Sequence, residues 1–224
     1  MNLRLKAAVL SLFLLSMFIG VSLGPAVLDA AGPSAGAPGQ GTPPRDGPDG
    51  FPLPTSCTLH PLVLPPTPSK IPGYTELDPA TGWHVTGTLQ EIDLEKYRLE
   101  VSGKIDSPLR LGFDELRCMP RVAARPTLVC PGFFSDTASW AGVPLKDVLD
   151  LAGVQPGTTG IRLIGADDYS SSLPLSTAME RGNFLAYEWE GKALPRLHGF
   201  PVRAILPGLE GNQWVKWLVR IEVY

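Results

Sequence analysis

The chain has 224 residues, with 19 Lys and Arg against 22 Asp and Glu, and 44% of it is hydrophobic, enough for one well-packed domain of ordinary size. A net charge of -3 without a basic stripe or an Arg/Lys cluster excludes nucleic acid as the expected partner. Three scattered histidines (His60, His84 and His198), with no CxxC and no HxxxH spacing, exclude a zinc motif, and three cysteines leave at least one thiol unpaired within the chain.

Arg4 and Lys6 precede an uncharged run from Ala7 to Leu28, 22 residues against the roughly 20 that cross a bilayer. Residues 1–28 are therefore predicted to be a signal peptide or an uncleaved signal anchor. Either way the rest of the chain is expected outside the cytoplasmic membrane, periplasmic or at the cell surface. From Ala31 to Pro54, 13 of 24 residues are Gly or Pro, and the bias runs on through Pro61, Pro65, Pro66, Pro68 and Pro72. Such a segment buries no apolar face, so residues 29–73 are expected to be a flexible, partly polyproline-II tether. Cys57 lies in it, with a bridge to Cys118, lipidation or a dimer contact all open.

The folded part is expected over residues 74–224. Tyr97–Val101 alternates as a strand, and Phe113–Cys118 reads as a short helix. Arg125–Cys130 reads as a buried strand that ends at a thiol and then at Pro131-Gly132, a turn pair. A cysteine at such a strand end packs, attacks as a nucleophile or ligates a metal. Leu145, Val148, Leu149 and Ala152 share one helical face between Pro144 and Gly153, the usual asymmetry of helix caps. Gly160–Ile164 is the next strand, Asp167-Asp168-Tyr169 a turn, Ser171–Leu173 a short strand and Ser176–Arg181 a short helix. Phe184–Trp189, Val202–Leu206 and Trp217–Tyr224 are the remaining strands. Many short strands with a few short helices imply a mixed, mostly β, α+β domain.

The chemistry concentrates near the C-terminus. His198-Gly199-Phe200-Pro201-Val202-Arg203, Pro207-Gly208 and Trp214-Val215-Lys216-Trp217-Leu218 set a His, an Arg and a Lys around Gly/Pro-rich loops. Glycines let backbone N–H groups approach an anion, and an Arg fork with a Lys point charge suits a phosphate. Taken singly, a buried His is more often a satisfied core residue, and an Arg or Lys beside aromatics more often lies along apolar surface.

These residues, with Val129-Cys130, Trp140-Ala141-Gly142-Val143-Pro144-Leu145, Ala186-Tyr187-Glu188 and Leu194-Pro195, carry a resemblance from about Tyr97 to Tyr224. That stretch resembles the molybdopterin-binding domain of the sulfite oxidase family. It is similar also to the catalytic subunit of the bacterial periplasmic methionine sulfoxide reductase. The resemblance implies a molybdenum-molybdopterin cofactor, with Cys130 as its metal ligand and catalytic residue. It implies that His198, Arg203, Trp214, Val215 and Lys216 hold the pterin and its phosphate, with Asp168 (or Asp167) as a further contact. It implies two-electron, oxygen-atom-transfer chemistry on a small-molecule substrate, with a haem protein or membrane subunit as electron partner. In the shorter segment before Tyr97, Trp83 and His84 are the candidates for cofactor contact. The substrate arginines of sulfite oxidase have no counterpart. Two other readings stay open: a non-catalytic binding or scaffold module on the same fold, and a thiol redox protein using Cys118 and Cys130.

Overall fold

Leu99 and Val101 alternate with Glu100 and Ser102, and the strand they predict is present, with its apolar side chains buried and Glu100 exposed. A computed structural model describes residues 57–224. The predicted signal segment, residues 1–28, and residues 29–56 of the predicted tether lie outside the described residues. In chain order the elements are β1 (Leu99–Gly103), β2 (Leu109–Leu111), α1 (Phe113–Cys118), β3 (Val122–Ala124), β4 (Thr127–Cys130), β5 (Phe134–Thr137), β6 (Trp140–Pro144) and α2 (Leu145–Ala152). They continue with β7 (Gly160–Gly165), β8 (Ser170–Pro174), α3 (Leu175–Ala178), β9 (Phe184–Trp189), β10 (Lys192–Ala193), β11 (Arg203–Ile205) and β12 (Leu218–Val223), and two short 3-10 turns lie at Arg196–His198 and Gly211–Gln213.

One five-stranded sheet runs β2-β1-β12-β7-β8. Only β1 and β12 pair parallel in it, with Val101 opposite Ile221. The second sheet runs β10-β9-β6-β3, with β11 also paired to β9, and is antiparallel throughout. Strands β4 and β5 form a separate hairpin. Helix α2 buries Leu145, Val148, Leu149 and Ala152 completely. Each leucine contributes about 2 kcal/mol by leaving water. Gly153 ends the helix at φ 70, where its N–H bonds the carbonyls of Leu149 and Asp150.

The fold is mostly β with few short helices, as expected, but several particulars differ. Strand β4 is not a buried strand: Leu128 is buried, Val129 is 45% exposed, and the pattern alternates because a two-stranded hairpin has only one covered face. The helix expected over Ser176–Arg181 is the shorter α3. Residues 57–73 are irregular chain fastened to the domain. Cys57 is disulfide-bonded to Cys118, Cα to Cα 5.5 Å. Arg117 Nη2 donates to the His60 carbonyl at 2.6 Å, Arg196 Nε donates to the Pro65 carbonyl at 3.0 Å, and Leu62 packs on the core. Cys118 is thus paired with Cys57 and not with Cys130, which is the free cysteine among the described residues. Among the described residues no helix is long and apolar enough to cross a membrane.

Candidate cofactor site

The β4–β5 hairpin turns at Pro131-Gly132-Phe133, where the Phe133 N–H donates to the Cys130 carbonyl at 3.0 Å. Its register sets Cys130 opposite Phe134 and Leu128 opposite Asp136, so the four side chains share one face. That face closes on the Gly211–Gln213 turn. A Cβ on Gly211 would lie 2.7 Å from Cys130 Sγ and 2.6 Å from Leu128 Cδ2, so only glycine admits the thiol there. His198 ends the other 3-10 turn, Arg203 opens β11, and Trp214 and Lys216 lie on the loop into β12. All four reach the same pocket as Cys130. Gly199 makes the approach possible: at φ 112, any Cβ would meet Arg203 Cβ at 2.9 Å.

Two cations face this pocket. Arg203 is buried, donates to the carbonyls of His198 at 3.0 Å and Trp214 at 3.4 Å, and lies over the Trp140 ring at 4.9 Å. Its Nε has no hydrogen-bond partner. Lys216 is half-buried, but its Nζ turns inward to the carbonyls of Thr86 and, at 3.0 Å, Leu197, and it sits over the Trp217 ring at 4.8 Å. Among the described residues neither has a carboxylate within ion-pair distance. Desolvation lowers the pKa of Arg203 to about 9. Desolvation, then repulsion from Arg203, lowers that of Lys216 to about 7. Asp167 offsets part of the Lys216 charge from a distance, but neither cation has an ion-pair partner among the described residues.

His198 is buried, its Nε2 2.9 Å from Thr81 Oγ1 and 3.1 Å from Asp78 Oδ2. Burial, then Lys216 and Arg203, push its pKa down against the pull of Asp78. The ring is neutral at pH 7, and the carboxylate favours the tautomer with the proton on Nε2. Burial and then Asp136 push the Cys130 thiol up, against the opposing pull of Arg203 and Lys216. Cys130 is thus a thiol at neutral pH, unsuited to attack unassisted, whereas a bound metal deprotonates it outright.

Of the sequence-predicted site residues, Cys130, His198, Arg203, Trp214 and Lys216 line this pocket. Val215 does not; it is fully buried and fixes the loop, its carbonyl accepting the Ala204 N–H at 2.8 Å. Asp168 does not either: it is exposed at φ 62 in the turn after β7. Its neighbour Asp167 is the acid whose field reaches Lys216. Trp83 and His84 also line the pocket. Sequence reasoning missed Asp136. Its Oδ1 is 2.9 Å from His84 Nδ1, its Oδ2 accepts the His84 backbone N–H at 2.9 Å, and Phe134 stacks on the His84 ring at 4.3 Å. A hairpin at Pro131-Gly132 would have put Asp136 on the face of Cys130 and Phe134.

The donor set is a soft thiol, two inward cations without an ion-pair partner among the described residues and an orphaned Arg203 Nε. It fits a metal-bearing, phosphate-bearing cofactor. The model of the oxidoreductase molybdopterin binding domain matches residues 86–224, more than half of the sequence. The chain belongs to the oxidoreductase molybdopterin-binding family. It is 31% identical over 199 residues to an NADH nitrate reductase of Volvox carteri, covering 73% of this chain and 23% of that protein. It is 38% identical over 162 residues to human mitochondrial sulfite oxidase, covering 59% of this chain and 30% of that one. A putative protein-methionine-sulfoxide reductase subunit of Azospira oryzae is 29% identical over 140 residues, 62% of this chain and 53% of that protein. The sulfane dehydrogenase SoxCD of Paracoccus pantotrophus matches in structure with a TM-score of 0.58 at 31% identity, over 61% of this chain and 40% of that chain. The chain thus spans between about a fifth and about a third of the nitrate reductase and sulfite oxidase relatives.

Proposed function

We propose that the chain is an extracytoplasmic molybdopterin-dependent oxidoreductase, with Cys130 as the protein ligand to molybdenum and Arg203 and Lys216 as the cradle of the cofactor's phosphate. The observation that carries this is the pair of inward cations beside a free thiol, neither of them held in an ion pair among the described residues. An anion delivered by the cofactor relieves both desolvated charges at once. When bound, the cofactor supplies two-electron redox chemistry of the oxygen-atom-transfer type, on a small-molecule substrate.

The protein's part is binding and orientation. The β4–β5 hairpin fixes Cys130, and the Gly211 turn keeps space beside its sulfur. His198 stays neutral, its Nε2 proton directed to Asp78, and so adds no third positive charge beside the cofactor. The His84 ring, held by Asp136 and stacked on Phe134, lines the same pocket. The space among these side chains is about 30 Å³, smaller than a pterin fills. An oxidising compartment is supported by the Cys57–Cys118 disulfide and by the uncharged run over residues 7–28. That run would tether the domain to a membrane, and a haem protein or membrane subunit would exchange electrons with it.

The test is molybdenum and pterin content of the full-length protein made in a host that synthesises the cofactor. About one metal per chain is expected, falling at least about tenfold in Arg203→Met/Lys216→Met. A folded wild-type protein without either component overturns the proposal in favour of a non-catalytic module.

A further inference from the structure

A second, larger cavity lies away from Cys130, and nothing above uses it. It measures about 750 Å³, within the range of small-molecule sites. The segment His60–Pro66 roofs it, and α1, β9, β10 and the Arg196–His198 turn form its floor. The disulfide and the two arginine–carbonyl bonds hold the roof in place. Most of the lining is apolar, with Phe113, Tyr187 and Trp189 supplying aromatic walls. Arg117, Lys192 and Arg196 and the carboxylates Asp78 and Glu188 also line it, but Arg117 pairs with Asp114 and Glu188 with Arg121, so little net charge faces a ligand. Two lining residues of the roof segment, Val63 and Leu64, are also 84% and 54% exposed, so the cavity is open to solvent on that side.

The cavity and the Cys130 pocket share one wall. Asp78 and Thr81 line the former, and both hydrogen-bond the Nε2 of His198, which lines the latter.

We infer that this cavity binds a neutral, planar ring compound carrying carbonyl acceptors, a molecule of the quinone class. The aromatic walls take the ring, the mostly apolar lining favours an uncharged one, and the Arg196 and Lys192 side chains serve the carbonyl oxygens. A molecule held there lies one hydrogen-bonded residue from the Cys130 pocket.

The test needs no molybdenum. Duroquinone, whose fully methylated ring does not add thiols, is titrated into the full-length protein while tryptophan fluorescence is followed; Trp189 lies on the cavity wall. Saturable quenching is expected. Ala193→Phe, which fills the cavity from β10, should raise Kd at least about tenfold. Ala80→Leu does the same from an exposed position if Ala193→Phe fails to fold. Cys130→Ser should change Kd less than about twofold. No saturable quenching, or equal quenching in both filled variants, overturns the inference. So does a loss in Cys130→Ser alone, which would place the quinone in the other pocket.

Discussion

Lys216 turns its ammonium onto two backbone carbonyls beside Arg203, and desolvation holds its pKa near 7 in the folded chain against 10.5 for the free side chain. Between those values the unfolded chain binds the extra proton, so stability of the cofactor-free protein rises with pH from about 7. Below 7 both states are protonated and the slope vanishes. The raised pKa values of Cys130 and Tyr97 act in the opposite sense, starting near their ordinary values of 9.0 and 10.0. Arg203, lowered to about 9, adds in the same sense as that pH is approached, so the clean window is pH 7 to 8, where Lys216 adds about 1 kcal/mol. Denaturant melts should show that gain in the wild type and not in Lys216→Met; equal slopes would show that the ammonium is not desolvated. Gly211 makes a second residue-scale claim. Gly211→Ala drives a Cβ into Cys130 Sγ and Leu128, which should cost about 1–3 kcal/mol and speed labelling of Cys130 by a thiol reagent. Unchanged labelling would mean that the turn does not support the thiol.

At the scale of elements, the β4–β5 hairpin is held to the domain through Asp136, whose two oxygens take the backbone and ring N–H of His84, 52 residues away. Asp136→Ala should cost about 1–3 kcal/mol by leaving those donors unpaired, read as a lower denaturation midpoint at unchanged slope. A neutral result would detach His84 from the site. This lock was not legible in the sequence: an Asp between Ser135 and Thr137 reads as surface, and its burial depends on a partner far along the chain. Helix α2 was legible because its apolar spacing and both flanking residues agree. Strand β9 is where expected, but the alternation read into Phe184–Trp189 is not: Phe184, Leu185, Ala186 and Tyr187 are all buried, because both faces of the strand are covered. Strand β6 was not: Trp140-Ala141-Gly142-Val143-Pro144 is buried at every position and so has no alternation to detect. The five pocket-lining residues were found through motif resemblance. The choice between Asp167 and Asp168 was not, because only the turn after β7 decides which carboxylate faces inward.

For the whole molecule, the Cys57–Cys118 bond spans a sequence separation of 61 and ties the Pro-rich segment to α1. Chain-entropy reasoning assigns a closure of that length about 4 kcal/mol as an upper figure. Cys57→Ser/Cys118→Ser should therefore melt well below the wild type, and the same protein should lose the 750 Å³ cavity's roof to proteolysis between His60 and Pro68. An unchanged melt would mean that the arginine–carbonyl bonds alone hold the segment.

Everything at the site turns on whether Cys130 ligates the metal, and molybdenum X-ray absorption counts the sulfur neighbours directly. Compared with the wild type, full-length Cys130→Ser is expected either to lose the metal or, where some is retained, to show one sulfur neighbour fewer. The same metal content with the same sulfur count in both proteins would contradict the assignment and leave the inward cations of Arg203 and Lys216 to serve some other anion.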